Sequence, residues 1–241
     1  MKKILLSGML SVLFFTGCSS THKPHWEYSG EYGPCKWGQL YPVCKTGKAQ
    51  SPINIVTKDI EPLKESHNII FHEENKAVLS HEVDNGHAIK IIPQNDHGIE
   101  LEGVNYKLIQ YHFHGRSEHT IDGRSFDMVM HMVHQNKKGE LAVVGVFMQE
   151  GEHNTALESL ISHLDGGDVQ VAPASLLPKD TKHFYHYTGS LTTPPCTEQV
   201  KWYLLKEPIS LDRTQLIKFR KHYSTNYRPV QPLNGRKIEI Q

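Results

Sequence analysis

Two histidine-bearing runs hold the residues whose types and spacing could do chemistry. Gln110–His114 reads Gln-Tyr-His-Phe-His, and Met128–His134 reads Met-Val-Met-His-Met-Val-His. Side chains of a β-strand alternate between its two faces. An extended first run therefore puts His112 and His114 on one side and Tyr111 and Phe113 on the other. In the second run Val129, His131 and Val133 share a face, and Met128, Met130 and Met132 share the opposite one. Both runs are rich in β-branched, aromatic and other apolar residues, as paired and largely buried strands are. Laid side by side, they bring three imidazoles to one point. Three neutral histidines with an open fourth position are the ligand set of a catalytic zinc. In a chain with 17 histidines a single His-x-His is unsurprising, so the surrounding residues must decide.

The elements that would position these runs are mostly strands. Asn68–His72, Ala77–Val83, Ala88–Ile92 and Ile99–Leu101 are short alternating segments separated by turn chemistry at Asp84-Asn85-Gly86 and Asn95-Asp96-His97-Gly98. Leu141–Gln149 is an almost unbroken apolar run and predicts a buried central strand. Phe184–Tyr187 and Gln199–Leu205 predict further strands on either side of a Thr192–Cys196 loop. Apolar residues recur at helical spacing over Asn154–Leu164, stopped by Asp165-Gly166-Gly167, and a second helix is expected over Leu211–Tyr223 with Asp212 near its start. Thr21–Lys48, with Trp26, Tyr28 and Trp37 among its glycines and prolines, predicts an irregular, aromatic-anchored region.

The bulk composition is that of an ordinary globular protein. The chain has 241 residues, 38% hydrophobic and 22% charged, and its formal net charge is zero. That length buries an ample core, and neutrality argues against a nucleic-acid partner. Neither an internal repeat nor a linker composition is visible, which predicts one domain. The N-terminus differs. Met1-Lys2-Lys3 is a positive leader and Ile4–Phe15 an apolar stretch too short to span a bilayer. It ends in Phe15-Thr16-Gly17-Cys18-Ser19-Ser20, which resembles a bacterial lipoprotein cleavage box, with Phe15 where leucine is usual. Residues 1–17 are expected to be a signal peptide and Cys18 a lipidated N-terminus followed by a tether over 18–24; an ordinary secretory signal cut near Gly17 is the alternative. Either outcome exports the protein, to the periplasm or to an outer-membrane anchor, and export permits disulfides. With Cys18 set aside, Cys35, Cys44 and Cys196 allow one internal pair and leave one thiol over. The residues alone do not choose the pair.

Taken in order, the motifs are specific. Gln50–Ile55 (QSPINI), Asn85-Gly86-His87, Gln110–His114, Ser117-Glu118-His119-Thr120, His131–His134, Leu141–Phe147, Gly189–Pro195 (GSLTTPP), Glu207-Pro208-Ile209 and Arg228–Pro232 together resemble an α-class carbonic anhydrase of the bacterial kind, over 25–241. The resemblance implies a mainly β (β-dominated α+β) single domain: a large, mostly antiparallel twisted central sheet, short peripheral helices and zinc in a conical cleft. It implies an enzyme that hydrates carbon dioxide reversibly to bicarbonate. His112, His114 and His131 would hold Zn²⁺, whose bound water has a pKa near 7 in this enzyme class, a known property of the class, and the resulting hydroxide would attack the substrate. By the same resemblance Thr192 and Glu118 orient the nucleophile, Thr193 helps to hold bicarbonate, and Val133, Val143, Leu191 and Trp202 wall an apolar carbon dioxide pocket. His87 would shuttle the proton, with Tyr28 and Asn85 ordering the intervening water. Gln110 and the backbone carbonyl of Asn226 would orient His112 and His114. The resemblance pairs Cys44 with Cys196, leaves Cys35 unpaired, and implies a homodimer.

One position departs from the pattern. Many members have a glutamate two residues before the last ligand, where this chain has Val129. Valine accepts no hydrogen bond, so water or another group is expected to serve His131. Two other functions fit some of these residues. An exported zinc-binding lipoprotein would need the histidines but not Thr192, Glu118 or an apolar pocket. An inactive interaction module of the same fold would have lost zinc histidines, and all three stand here.

Overall fold

Alternating and continuous apolar runs become strands throughout this chain. The structure is a computed structural model, and its described residues are 25–63, 68–72, 77–84, 86–94, 97–223 and 225–241. The expected signal, the tether, Cys18 and Asn85 lie outside them. The strands are β1 (Asn54–Ile55), β2 (Glu61–Pro62), β3 (Ile69–Phe71), β4 (Val78–Asp84), β5 (Ile89–Pro93), β6 (Gly98–Leu101), β7 (Val104–Gly115), β8 (Thr120–Ile121), β9 (Met128–Asn136), β10 (Leu141–Glu150), β11 (Gly167–Val171), β12 (Phe184–Ser190), β13 (Glu198–Leu211) and β14 (Glu239–Ile240). The α-helices are α1 (Trp37–Leu40), α2 (Val43–Thr46), α3 (Glu158–Ile161) and α4 (Arg213–His222).

The large sheet runs β11-β4-β5-β7-β9-β10-β13-β12-β14-β2, with β6 also on β7 and β3 on β6; β1 and β8 form a separate pair. Most neighbours are antiparallel, while β10–β13, β14–β2 and β1–β8 are parallel. The fold is mainly β, as expected. Its central strands are covered on both faces, which is why β10 carries a nearly continuous apolar sequence and β9 is buried from Met128 to His134 on both sides. Met128, Met130, Met132, Tyr111, Phe113, Val144 and Val146 pack on one face with Leu216 and Phe219 of α4. Val129, Val133, Val143, Phe147, Tyr187 and Trp202 pack on the other. Each fully buried side chain of this size contributes about 1.5–3 kcal/mol by leaving water.

Two local features differ from the expectation. The helix predicted over Asn154–Leu164 shrinks to a 3-10 turn, Thr155–Leu157, and the four residues of α3. Ser162 Oγ donates to the Ser159 carbonyl and the His163 ring bonds that same oxygen, so side chains compete for the backbone acceptor that would carry the helix on. The described part of the Thr21–Lys48 region, 25–48, holds a 3-10 turn at Gly30–Tyr32 and the one-turn helices α1 and α2 within otherwise irregular chain. Its aromatic anchor is as expected: Trp37 is buried, and its indole N–H donates to the carbonyls of Glu27 and Tyr32. The second helix, α4, starts where predicted, with a capping box in which Asp212 accepts the Gln215 amide and Gln215 accepts the Asp212 amide.

Candidate active site

The histidines reach one point because of a bulge. In β7, Leu108 pairs with His134 of β9, yet Gln110 pairs with Val133, so Ile109 is an extra residue. Before it, Tyr106 and Leu108 face the methionine core; after it, Tyr111 and Phe113 do. A slip of one residue sends every later side chain to the opposite face. Gln110, His112 and His114 thereby join the face of Val133, His131 and Val129, and His112 lies opposite His131 in the register. The ligand atoms of His112, His114 and His131 lie within 4.8 Å of one another.

Each ring is set by its surroundings. His112 Nδ1 bonds Gln110 Oε1 at 2.9 Å, and His114 Nδ1 bonds the Asn226 carbonyl at 2.5 Å, which turns the Nε2 atom of each ring toward the cluster. Asn226 is itself fixed: its side chain donates to the carbonyls of Phe113 and His87 and accepts from the Gly115 amide. His131 points Nδ1 toward the Glu118 oxygen that His114 Nε2 approaches, at 3.7 and 3.4 Å. Its Nε2 faces away, buried and without a hydrogen-bond partner among the described residues. Burial, reinforced by the neighbouring imidazoles, holds His112 and His131 well below the ordinary histidine range. They are therefore neutral, as metal ligands must be. Three imidazole nitrogens, one of them the buried His114 Nε2 that has no hydrogen-bond partner among the described residues, fit a tetrahedral zinc ion with one open position.

Several of the remaining candidates lie around this cluster, while Asn85 is outside the described residues. Glu118 is buried, and its Oε1 accepts the Arg228 backbone N–H at 2.7 Å. Burial raises its pKa, against the pull of His114, the Arg228 amide and the Thr192 hydroxyl. Thr192 is buried in the loop between β12 and β13, and Thr193, half-buried beside it, accepts the Cys196 amide through its carbonyl. Val133 pairs with Val143, and Val143 with Trp202, in a row across three strands, with Leu191 packed against them. The Trp202 ring centroid lies 4.9 Å from that of His131. Tyr28 stands between His87 and His114, at 6.3 and 6.4 Å by ring centroid. His87 is not an exposed turn residue. It is 8% exposed and stacked on Trp26 at 3.6 Å. Cys44 and Cys196 form a disulfide and Cys35 is an exposed free cysteine, matching the pairing that the resemblance implied.

Sequence reasoning gave no role to three groups that build the site. The buried Arg228 guanidinium donates to Gln50 Oε1 and to the carbonyls of Ser51 and Cys44, which ties the Glu118 support to the N-terminal region. His119 Nε2 bonds Tyr187 at 2.6 Å, and Tyr187 bonds Ser51 at 2.7 Å, behind His131. His25 bonds His87. Arg228, Ser51 and His119 all lay in quoted motifs, but motif position alone does not say what a side chain touches.

Residues 32–241 match the family model described as eukaryotic-type carbonic anhydrase. The chain is 36% identical over 251 residues to a carbonic anhydrase of Pectobacterium carotovorum, covering 98% of each. It is 39% identical over 231 residues to one of Klebsiella pneumoniae, covering 89% of this chain and 90% of that protein. The solved structure of the α-carbonic anhydrase from Thermovibrio ammonificans, in complex with the inhibitor sulfanilamide, aligns with a TM-score of 0.82 at 40% identity over 89% of this chain and 98% of that one. The chain therefore belongs to the carbonic anhydrase family, in its α class and among the bacterial members. It is an enzyme for the hydration of carbon dioxide, and zinc is its cofactor.

Proposed function

We propose that His112, His114 and His131 hold the zinc ion and that the reaction takes place between it, the Thr192 hydroxyl and the apolar row of Val133, Val143, Leu191 and Trp202. The observation that carries this is the convergence of the three ring nitrogens within 4.8 Å beside the buried Glu118. Bound zinc supplies Lewis acidity that makes a water molecule nucleophilic near neutral pH. Thr192 gives its own proton to Glu118 and so offers only a lone pair toward the nucleophile, which fixes the direction of attack. The Arg228 amide keeps one Glu118 oxygen engaged, so the carboxylate cannot rotate away. The apolar row accepts carbon dioxide without competing for hydrogen bonds, and Thr193 stands at the polar margin where bicarbonate forms. His87 takes the proton that each turnover releases, past Tyr28, as an imidazole can, and its pKa, held below the ordinary histidine value by burial and by the neighbouring His25 ring, favours passing that proton on.

The Cys44–Cys196 disulfide supports an exported protein in an oxidising compartment. Lipidation of Cys18 is proposed with it, and the mass of the mature N-terminus tests that step; sedimentation tests the homodimer. The main experiment is stopped-flow carbon dioxide hydration by protein starting after residue 18, as purified, stripped of zinc and reloaded. Fast hydration that is lost and regained with zinc is expected. Stoichiometric zinc without hydration would overturn the reading and favour a zinc-binding protein.

A further inference from the structure

A chain of hydrogen bonds reaches His119, behind the third zinc ligand, from the Gln50–Ile55 motif. The Ser51 hydroxyl accepts the Ser190 amide at 3.0 Å. Among the described residues its own hydrogen has one acceptor within reach, the Tyr187 hydroxyl at 2.7 Å. Tyr187 in turn lies 2.6 Å from His119 Nε2. Each hydroxyl has one hydrogen to give, so Ser51 donates to Tyr187 and Tyr187 donates to His119 Nε2. Burial holds the His119 pKa at about 3. The ring is therefore neutral, and its one hydrogen sits on Nδ1. His131 arrives at a matching state by another route. Its Nδ1 faces the ligand cluster, and a neutral ring bound through that atom keeps its hydrogen on Nε2.

Both of these N–H groups are buried, and neither has a partner among the described residues. Their rings are neighbours, 6.0 Å apart by centroid, and each also packs on the Trp202 indole, at 4.7 and 4.9 Å. The side chain two residues before His131 on the same face of β9 is Val129, which accepts nothing. Buried donors without an acceptor are costly. The geometry points to His119 as a positioning residue for the zinc site: it shares one buried water with His131, which ties the third ligand to Tyr187 and Ser51. This rests on the proposed ligand set and names the partner of its third member. Two donors cannot bond each other, but a water oxygen has a lone pair for each ring. His112 and His114 are aimed by direct bonds to Gln110 and Asn226. The aim of His131 runs instead through His119, whose own orientation is set by the Tyr187 hydroxyl.

The test is zinc affinity, read by competition with a chelator, in His119→Phe and His119→Gln, each made in the wild type and in Val129→Glu. Phenylalanine fills the space of the ring without a nitrogen and should loosen zinc roughly tenfold. Glutamine returns an N–H donor and should recover most of that loss. In Val129→Glu the carboxylate serves His131 itself, so His119→Phe should cost little there. A residue that only packs would cost the same in both backgrounds. Equal losses in the two backgrounds, no loss in the wild type, or no recovery with glutamine would overturn the proposal. Nitrogen-15 NMR of the zinc-loaded wild type needs no variant. Slowly exchanging hydrogens on His119 Nδ1 and His131 Nε2 are expected, and a bare His119 Nδ1 would overturn the proposal even if His119→Phe does not fold. A wild-type chain that holds no zinc would strike the ligand set first, and this inference with it.

Discussion

Val129 and His131 share one buried face of β9, two residues apart, and Nε2 of His131 has no hydrogen-bond partner among the described residues. His112 leans on Gln110 and His114 on Asn226, while the third ring is flanked by the His114 ring and the Trp202 indole, at 4.8 and 4.9 Å by ring centroid. Nδ1 of His119, whose ring centroid is 6.0 Å away, is likewise buried and without a hydrogen-bond partner among the described residues. Hydrogen-bond partners of metal-bound imidazoles are typically worth 10–100-fold in affinity, so Val129→Glu should tighten zinc by about tenfold in competition with a chelator. Val129→Gln, which also offers an acceptor without a charge, should gain in the same direction. Unchanged affinity in both would mean that packing alone fixes His131.

Thr192 and Glu118 should behave as one unit. If the hydroxyl acts by donating to the carboxylate, removing either end leaves the nucleophile equally unoriented, and misplacement of this kind costs about 10²-fold. Thr192→Ala and Glu118→Gln are each expected to lower kcat/KM by that order while zinc content stays at one per chain. The double variant should be little worse than either single one. Independent, multiplicative losses would show that the two residues serve different steps.

Much of this arrangement could be read before the fold was known, because alternation over β7 and β9 assigns faces from sequence alone. The bulge at Ile109 could not. Ile-Gln-Tyr reads as unbroken strand, and the extra residue shows only when Leu108 and Gln110 are matched to His134 and Val133. Helix α4 was readable from Asp212 and its register of apolar residues. The interruption after α3 depends on Ser162 and His163 choosing a carbonyl, which periodicity does not report. The two-residue strands β1, β2, β8 and β14 carry no pattern of their own and form only where a neighbour offers an edge. Arg228 spans groups 177 to 184 residues away in sequence, a separation at which a single sequence says nothing about contact.

Glu82 predicts an unusual pH dependence of stability. It points inward from β4 at 1% exposure, and neither carboxylate oxygen has a partner among the described residues. Burial, with the nearby Asp165 charge adding to it, pushes its pKa up to about 8. The folded chain therefore prefers the neutral acid. The unfolded chain ionises it above a pKa of about 4.3. Stability from this group is full below that value, falls as pH rises toward 8, and is then constant, a loss of a few kcal/mol. Glu82→Met, of similar length and apolar, should raise Tm most at pH 8 and flatten the slope between pH 5 and 8. A Tm profile parallel to that of the wild type would show that Glu82 is solvated or paired in solution.

The Cys44–Cys196 bridge closes a sequence separation of 152 residues and ends the loop that carries Thr192 and Thr193. In the chain-entropy account a loop of that length is worth about 5 kcal/mol. The bridge also has a local duty. The Cys196 carbonyl accepts Gln50, the Cys44 carbonyl accepts Arg228, and Arg228 supports Glu118 through its amide. Replacing both cysteines by alanine should therefore lower Tm by roughly 10–20 °C and, well below that Tm, reduce kcat/KM with zinc still bound, because Thr192 and Glu118 lose the common support that keeps them in register. Calorimetry and stopped flow on one preparation separate the two effects. A lowered Tm with unchanged kcat/KM would leave the bridge a purely structural tie and place the control of Thr192 in the Pro194-Pro195 segment itself.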